Sequence, residues 1–108
     1  MQPMRIQKYL LNRDATHCER PDGAIEFDVK MPPGIILSCG ADQDDIAVWA
    51  MVAHNSTPIT RRLLVVPTDG GFDPELQSAM TFIQTVQMLR EELTWHVFEL
   101  ERAPQVTN

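Results

Sequence analysis

A mainly β fold, α+β at most, is what this chain predicts: an antiparallel meander sheet, or a small sandwich or open barrel. Three observations lead there. Ile25, Phe27 and Val29 alternate strictly with Glu26, Asp28 and Lys30, the period of a half-buried strand with one wet face. Proline and glycine close short segments, at Met31-Pro32-Pro33-Gly34, at Pro67 and at Gly70-Gly71. Several segments are apolar on both sides, which a single half-solvated sheet does not accommodate.

Taken in order, Arg5 to Leu11 reads as a first strand, with Ile6, Lys8 and Leu10 on one side and Gln7, Tyr9 and Leu11 on the other. Residues 12–24 are polar and contain Pro21-Asp22-Gly23, so they read as a loop ending in a turn. The alternating strand 25–30 follows, and the two prolines remove two ladder donors and stop it. Ile35 to Cys39 is a short buried strand, and Gly40 to Asp45 a charged turn. In 46–53, Ile46, Val48, Ala50 and Val52 oppose Ala47, Trp49 and Met51, so this strand belongs in the middle of a sheet. A turn at 54–58 leads to a strand at 61–66.

From Asp73 two readings compete. Asp73-Pro74-Glu75 is a good helix start, and Leu76, Met80, Ile83, Val86, Leu89, Leu93, Val97 and Leu100 fall at helical spacing as far as Arg102. Against one long helix, 81–86 and 94–98 are dense in β-branched and aromatic residues, with a hairpin-sized connection at 88–93 between them.

The chain has 108 residues, 44% hydrophobic and 22% charged, which is one ordinary globular domain, with a short flexible tail at 103–108. No aliphatic run approaches the ~20 residues of a membrane helix, and Met1 to Arg5 has no apolar signal region, so neither membrane nor secretion is expected. Nine basic against fifteen acidic residues give a net charge of −6, which argues against nonspecific nucleic-acid binding. The bases gather in the first thirty residues; from Asp73 to Glu101 Arg90 stands alone among six acids. Two cysteines without a signal segment suit free thiols in a reducing cytoplasm.

Chemistry is sparse. Structural zinc needs paired ligands a few residues apart, whereas only His17 and Cys18 are close, and neighbours on an extended segment point to opposite faces. Cys39 closes an apolar strand, a place for a buried side chain rather than a thiolate nucleophile with His54 or His96 as base. Gly70-Gly71 lacks the rest of a phosphate loop, and Asp44-Asp45 and Glu91-Glu92 sit in turns. No cofactor, no metal and no catalytic residue is expected. The candidate binding residues are Arg61 and Arg62, which leave opposite faces of their strand, and Trp49, Trp95 and His96. An arginine beside an aromatic ring suits an anion or a nucleotide base; the simpler reading is solvated charges and core aromatics.

Lys8-Tyr9, Met31-Pro32 with Gly34, Ile36-Leu37-Ser38, Val48-Trp49-Ala50-Met51-Val52, Thr85-Val86-Gln87 and Trp95-His96-Val97-Phe98-Glu99 appear in that order. Together they resemble a family of small bacteriophage proteins recorded as a domain of unknown function, over about residues 5–100. The family carries glycine where Gln84 stands, which weakens a bulge there, and has a shorter segment between its first two strands. Its pattern ends in strand, turn, strand; the resemblance therefore implies a hairpin over 81–100 and one short helix near 74–80. It also implies a phage origin and action in the host bacterial cytoplasm, with no activity attached.

The expectation is a non-enzymatic phage accessory protein that binds a host protein for host takeover or anti-defence. The alternative is an oligomeric small-molecule binder that sequesters a nucleotide signal. Strands apolar on both sides also predict a homodimer or small closed oligomer, because one short helix covers little.

Overall fold

Two antiparallel sheets face one another across the core of the computed structural model, which describes residues 3–88 and 93–101. The strands are β1 (Met4–Leu10), β2 (Ala15–Glu19), β3 (Ile25–Met31), β4 (Gly34–Asp42), β5 (Asp45–Ala53), β6 (Ile59–Pro67), β7 (Met80–Gln87) and β8 (Thr94–Leu100). A helical turn, α1 (Leu11–Asp14), joins β1 to β2, and a 3₁₀ helix (Pro74–Ala79) precedes β7. One sheet has the order β1-β5-β4, the other β2-β3-β6-β8-β7. The chain forms a sandwich rather than a simple meander: it changes sheets at α1, at the proline pair between β3 and β4, and again between β5 and β6.

The inner faces supply the main core. Val48, Ala50 and Val52 of β5 meet Phe27, Val29 and Met31 of β3, Leu63 and Val65 of β6, and Val97 of β8. Ile25, Phe27 and Val29 alternate with polar residues because β3 has one face on this core. β5 is the middle strand of its sheet, as its two apolar faces predict.

The second apolar side of the larger sheet is covered by a strap of the chain itself. Phe72 and Leu76 close over Ala24, Leu64, Val66, Met80, Phe98 and Leu100, and the Phe98 ring contacts Phe72 and Phe82. Asp73 caps the 3₁₀ helix by accepting from the Glu75 N–H at 3.0 Å, and Pro74 opens it. The hairpin over 81–100 and the short helix near 74–80 are therefore present, and the single long helix is not. Leu93 O accepts from the Met88 N–H at 2.8 Å at the base of the hairpin; residues 89–92 and the tail at 103–108 lie outside the described residues.

Three expectations need correction. The strand expected as short and buried at 35–39 runs over Gly34–Asp42 and leaves Ile35 and Leu37 exposed, because it is an edge strand with one face on the core. The polar segment 12–24 is more than a loop: it holds most of α1 and the whole of β2. β2 is an edge strand with mostly exposed side chains, so no apolar alternation marks it; backbone pairing to β3 alone makes it a strand. A bulge does occur at Phe82/Gln84 although residue 84 is glutamine. The extra residue is Ile83, which turns toward the core, so a side chain that packs inward holds the irregularity without glycine.

Candidate functional site

The five residues singled out as binding candidates are placed on three different surfaces. Arg61 points to the inner side of β6, where its Nε and Nη2 both donate to the Glu99 carboxylate on β8 and its Nη1 donates to the Gly34 carbonyl at 3.0 Å. The bidentate pair holds the guanidinium pKa above its ordinary value, and the third contact ties the two sheets together. All three nitrogens of Arg61 are thereby committed inside the fold.

Arg62 leaves the opposite face, as the strand period requires, and its Nε lies 2.9 Å from Glu26 and 3.6 Å from Asp28. Beside it a shallow polar groove of about 350 Å³ mixes Arg13 and Lys30 with Asp14 and Asp28. Its charges alternate in sign, which does not concentrate a field for an anion.

His96 shares the outer face of β8 with Phe98 and Leu100. Its Nε2 is 2.8 Å from the Thr68 hydroxyl and its Nδ1 is 3.0 Å from the Thr85 hydroxyl, so both ring nitrogens are occupied. Trp95 faces inward and lines a cavity of about 160 Å³ at one end of the sandwich with Leu11, Phe27 and Met88. Asp45, on the rim of that cavity, accepts from the Asn12 and Ile46 backbone N–H groups and so pins α1 to the start of β5. Cys39 is buried, and burial pushes its thiol up to about 12, away from thiolate chemistry. Among the described residues no group of three or more His, Cys, Asp or Glu is placed to hold a metal ion.

Trp49 stands apart from these four, on the outer face of the β1-β5-β4 sheet. Registration sets Ile6, Met51 and Ile35 side by side across all three strands, with Met4 and Ala53 on one flank. Lys8, Trp49 and Ser38 form the next rung, and beyond it Leu10, Ala47 and Gly40. The Trp49 ring lies against Gly40, where a Cβ would come within 3.3 Å of it. Leu37 is the extra residue of a bulge in β4 between Ile36 and Ser38.

Most of the exposed large hydrophobic side chains among the described residues lie on this face, Phe82 and Leu93 being elsewhere. Ile6 is 66% exposed, Ile35 59%, Met4 49% and Leu37 48%. Its one basic side chain, Lys8, reaches across the sheet to Asp42, with Nζ 2.9 Å from the carboxylate. The surface is therefore largely apolar, with Lys8 paired to Asp42, on a chain of charge −6. Sequence reasoning found Trp49 but missed Met4, Ile6, Ile35, Leu37 and Met51. The signal was present in the two-sided apolar pattern of 46–53, but pattern alone does not say which side receives a cover.

Fold and surface together define a small antiparallel β-sandwich with one sheet face left uncovered by the described residues. The chain belongs to the family described as Domain of unknown function (DUF7352), whose model matches residues 4–108. No curated protein and no solved structure matches it. No helix among the described residues is long and apolar enough to cross a membrane.

Proposed function

We propose that this chain is a non-enzymatic accessory protein that acts by contact with another protein, in the service of a bacteriophage inside its bacterial host. The observation that carries the reading is the uncovered face of β1, β5 and β4. A contiguous apolar patch of this kind marks an interaction surface on a folded domain. The polar candidates add support, because Arg61 and His96 have their polar atoms engaged by neighbours within the chain and Arg62 is paired through its Nε with Glu26. The phage setting rests on the resemblance of the Trp49-Ala50-Met51-Val52 and Trp95-His96-Val97-Phe98-Glu99 segments, and host takeover or anti-defence is the role that setting suggests.

The test is capture of host components on the wild-type protein and on Arg62→Ala, followed by reconstitution from purified parts. A stoichiometric complex of this chain with one host protein, unaffected by Arg62→Ala, is the expected result. Failure to reconstitute any such complex, together with thermal stabilisation by a nucleotide that Arg62→Ala abolishes, would replace this reading with that of a nucleotide-sequestering protein.

A further inference from the structure

We infer that the cavity at one end of the sandwich binds a small organic cation, an aromatic ring on a short chain that ends in an ammonium. The site is separate from the contact face and does not depend on that face having a partner.

Both sheets build its walls. Leu11 of α1 and Ile46 of β5 meet Phe27 of β3, Val65 of β6 and Met88 just after β7, and these five buried side chains form an apolar floor. Ile25 and Trp95 are half-buried, and Asn12 and Asp44 are exposed, so the cavity opens on their side. A ligand entering it passes from a charged rim to an apolar floor.

Volume selects the size of the occupant. About 160 Å³ is the scale of an apolar cavity that stays dry and accepts benzene. It lies well below the ~300–1,000 Å³ of drug- and cofactor-sized sites, so a nucleotide does not fit. Atoms that face unfilled apolar space forgo dispersion contacts, and a single ring restores them.

Charge selects the sign. Among the described residues the only ionisable groups lining the cavity are Asp44 and Asp45. Asp45 is fixed in place: Oδ1 accepts from the Asn12 and Ile46 N–H groups at 3.1 and 2.8 Å, and Oδ2 accepts from Asn12 at 3.2 Å. A carboxylate offers about four lone-pair directions, so Oδ2 keeps room for a further donor. Two carboxylates beside a low-dielectric floor favour an ammonium and repel a carboxylate or phosphate. The Trp95 indole supplies an aromatic wall, which suits a cation as well as a ring. On their own the two acids would be a solvated pair; the apolar volume beneath them is what admits a ligand.

Three probes of matched shape test this: phenethylamine, phenethyl alcohol and phenylacetate, which are cationic, neutral and anionic at neutral pH. Each is titrated into the full chain carrying Trp49→Phe, which leaves Trp95 as the sole tryptophan, with its fluorescence and the Met88 methyl resonance as readouts. The amine should bind in the high-micromolar to millimolar range and move both signals. The alcohol should bind about tenfold more weakly, and phenylacetate not at all. Asp44→Asn and Asp45→Asn should each reduce the amine's advantage while leaving the alcohol's affinity unchanged. Ile25→Phe, which fills the opening from a half-buried position, should weaken amine and alcohol together, with the parent circular dichroism spectrum retained in all three variants. An amine that leaves Trp95 and Met88 unperturbed at tens of millimolar overturns the inference. So does an amine that binds no better than phenylacetate, or one whose affinity survives both asparagine substitutions. Ile35→Glu, on the outer face of β4, should change none of these titrations, so failure of this site and failure of the contact reading are told apart.

Discussion

Arg61 shows how a single side chain can be read two ways until its neighbours are known. A strand-borne arginine is a reasonable anion ligand, yet here it joins β6 to β8 through Glu99 and reaches β4 through the Gly34 carbonyl. Gly34 itself is required by the neighbouring strand: a Cβ there would lie 2.0 Å from the Met51 carbonyl oxygen of β5. Removing one member of a largely desolvated pair strands the other, so Arg61→Met should cost about 2–4 kcal/mol in chemical denaturation, with Arg61→Lys only partly rescuing it. Tyr9 presents the opposite case. Its hydroxyl is buried with no hydrogen-bond partner among the described residues, and burial raises its pKa. Tyr9→Phe should therefore be neutral or stabilising by about 1 kcal/mol.

Cys39 gives a pH signature. Burial raises its pKa from 9.0 to about 12, so the folded state holds the thiol proton more tightly than the unfolded chain does. The resulting stability is full below pH 9 and is lost as the pH rises from there toward 12, by up to about 1.4 kcal/mol per unit. Cys39→Ala should flatten that part of the stability profile. In the native wild type, the exposed Cys18 should react with a thiol reagent while Cys39 remains silent.

Among the elements, the strap between β6 and β7 solves half of the problem posed by strands with two apolar faces. Ten residues from Gly70 to Ala79 contribute two anchors, Phe72 and Leu76, and these cover the outer side of β6 and β8. A 3₁₀ helix suits the task because six residues with one cap can lie flat on a sheet where a longer α-helix would stand away from it. Phe72→Ala should destabilise the protein by roughly 1–3 kcal/mol, because it opens this second core without touching the one between the sheets. Far-UV circular dichroism of the wild type should be dominated by β-structure. β2 illustrates the reverse relation: it has almost no apolar face of its own and exists because β3 offers it a row of backbone partners.

At the scale of the whole molecule, the two sheets are treated unequally. The five-stranded sheet has a core on one side and a strap over much of the other; among the described residues the three-stranded sheet has a core on one side only. The exposed side chains of its other side, Ile6 and Ile35 among them, contribute little to monomer stability, since they are largely solvated before and after folding. Ile6→Thr with Ile35→Thr should therefore change the unfolding free energy by less than about 0.5 kcal/mol under conditions where the protein is monomeric. Loss of association without loss of stability distinguishes a contact surface from a structural one.

Most of the strands were legible because burial imposes a period of two, as in Ile25 to Lys30, and because prolines 32, 33 and 67 cannot donate to a ladder. The mainly β class, the place of 46–53 inside a sheet and the opposite faces of Arg61 and Arg62 all follow from that local geometry. The sequence by itself also determined that some apolar face would need a cover beyond the single core. Only the tertiary structure decided which face that was, that Arg61 is spent on Glu99 and Gly34, and that Trp49, Trp95 and His96 look onto different surroundings. Those outcomes depend on strand order and register between residues far apart in the chain, and local periodicity carries no information about which distant strand lies alongside.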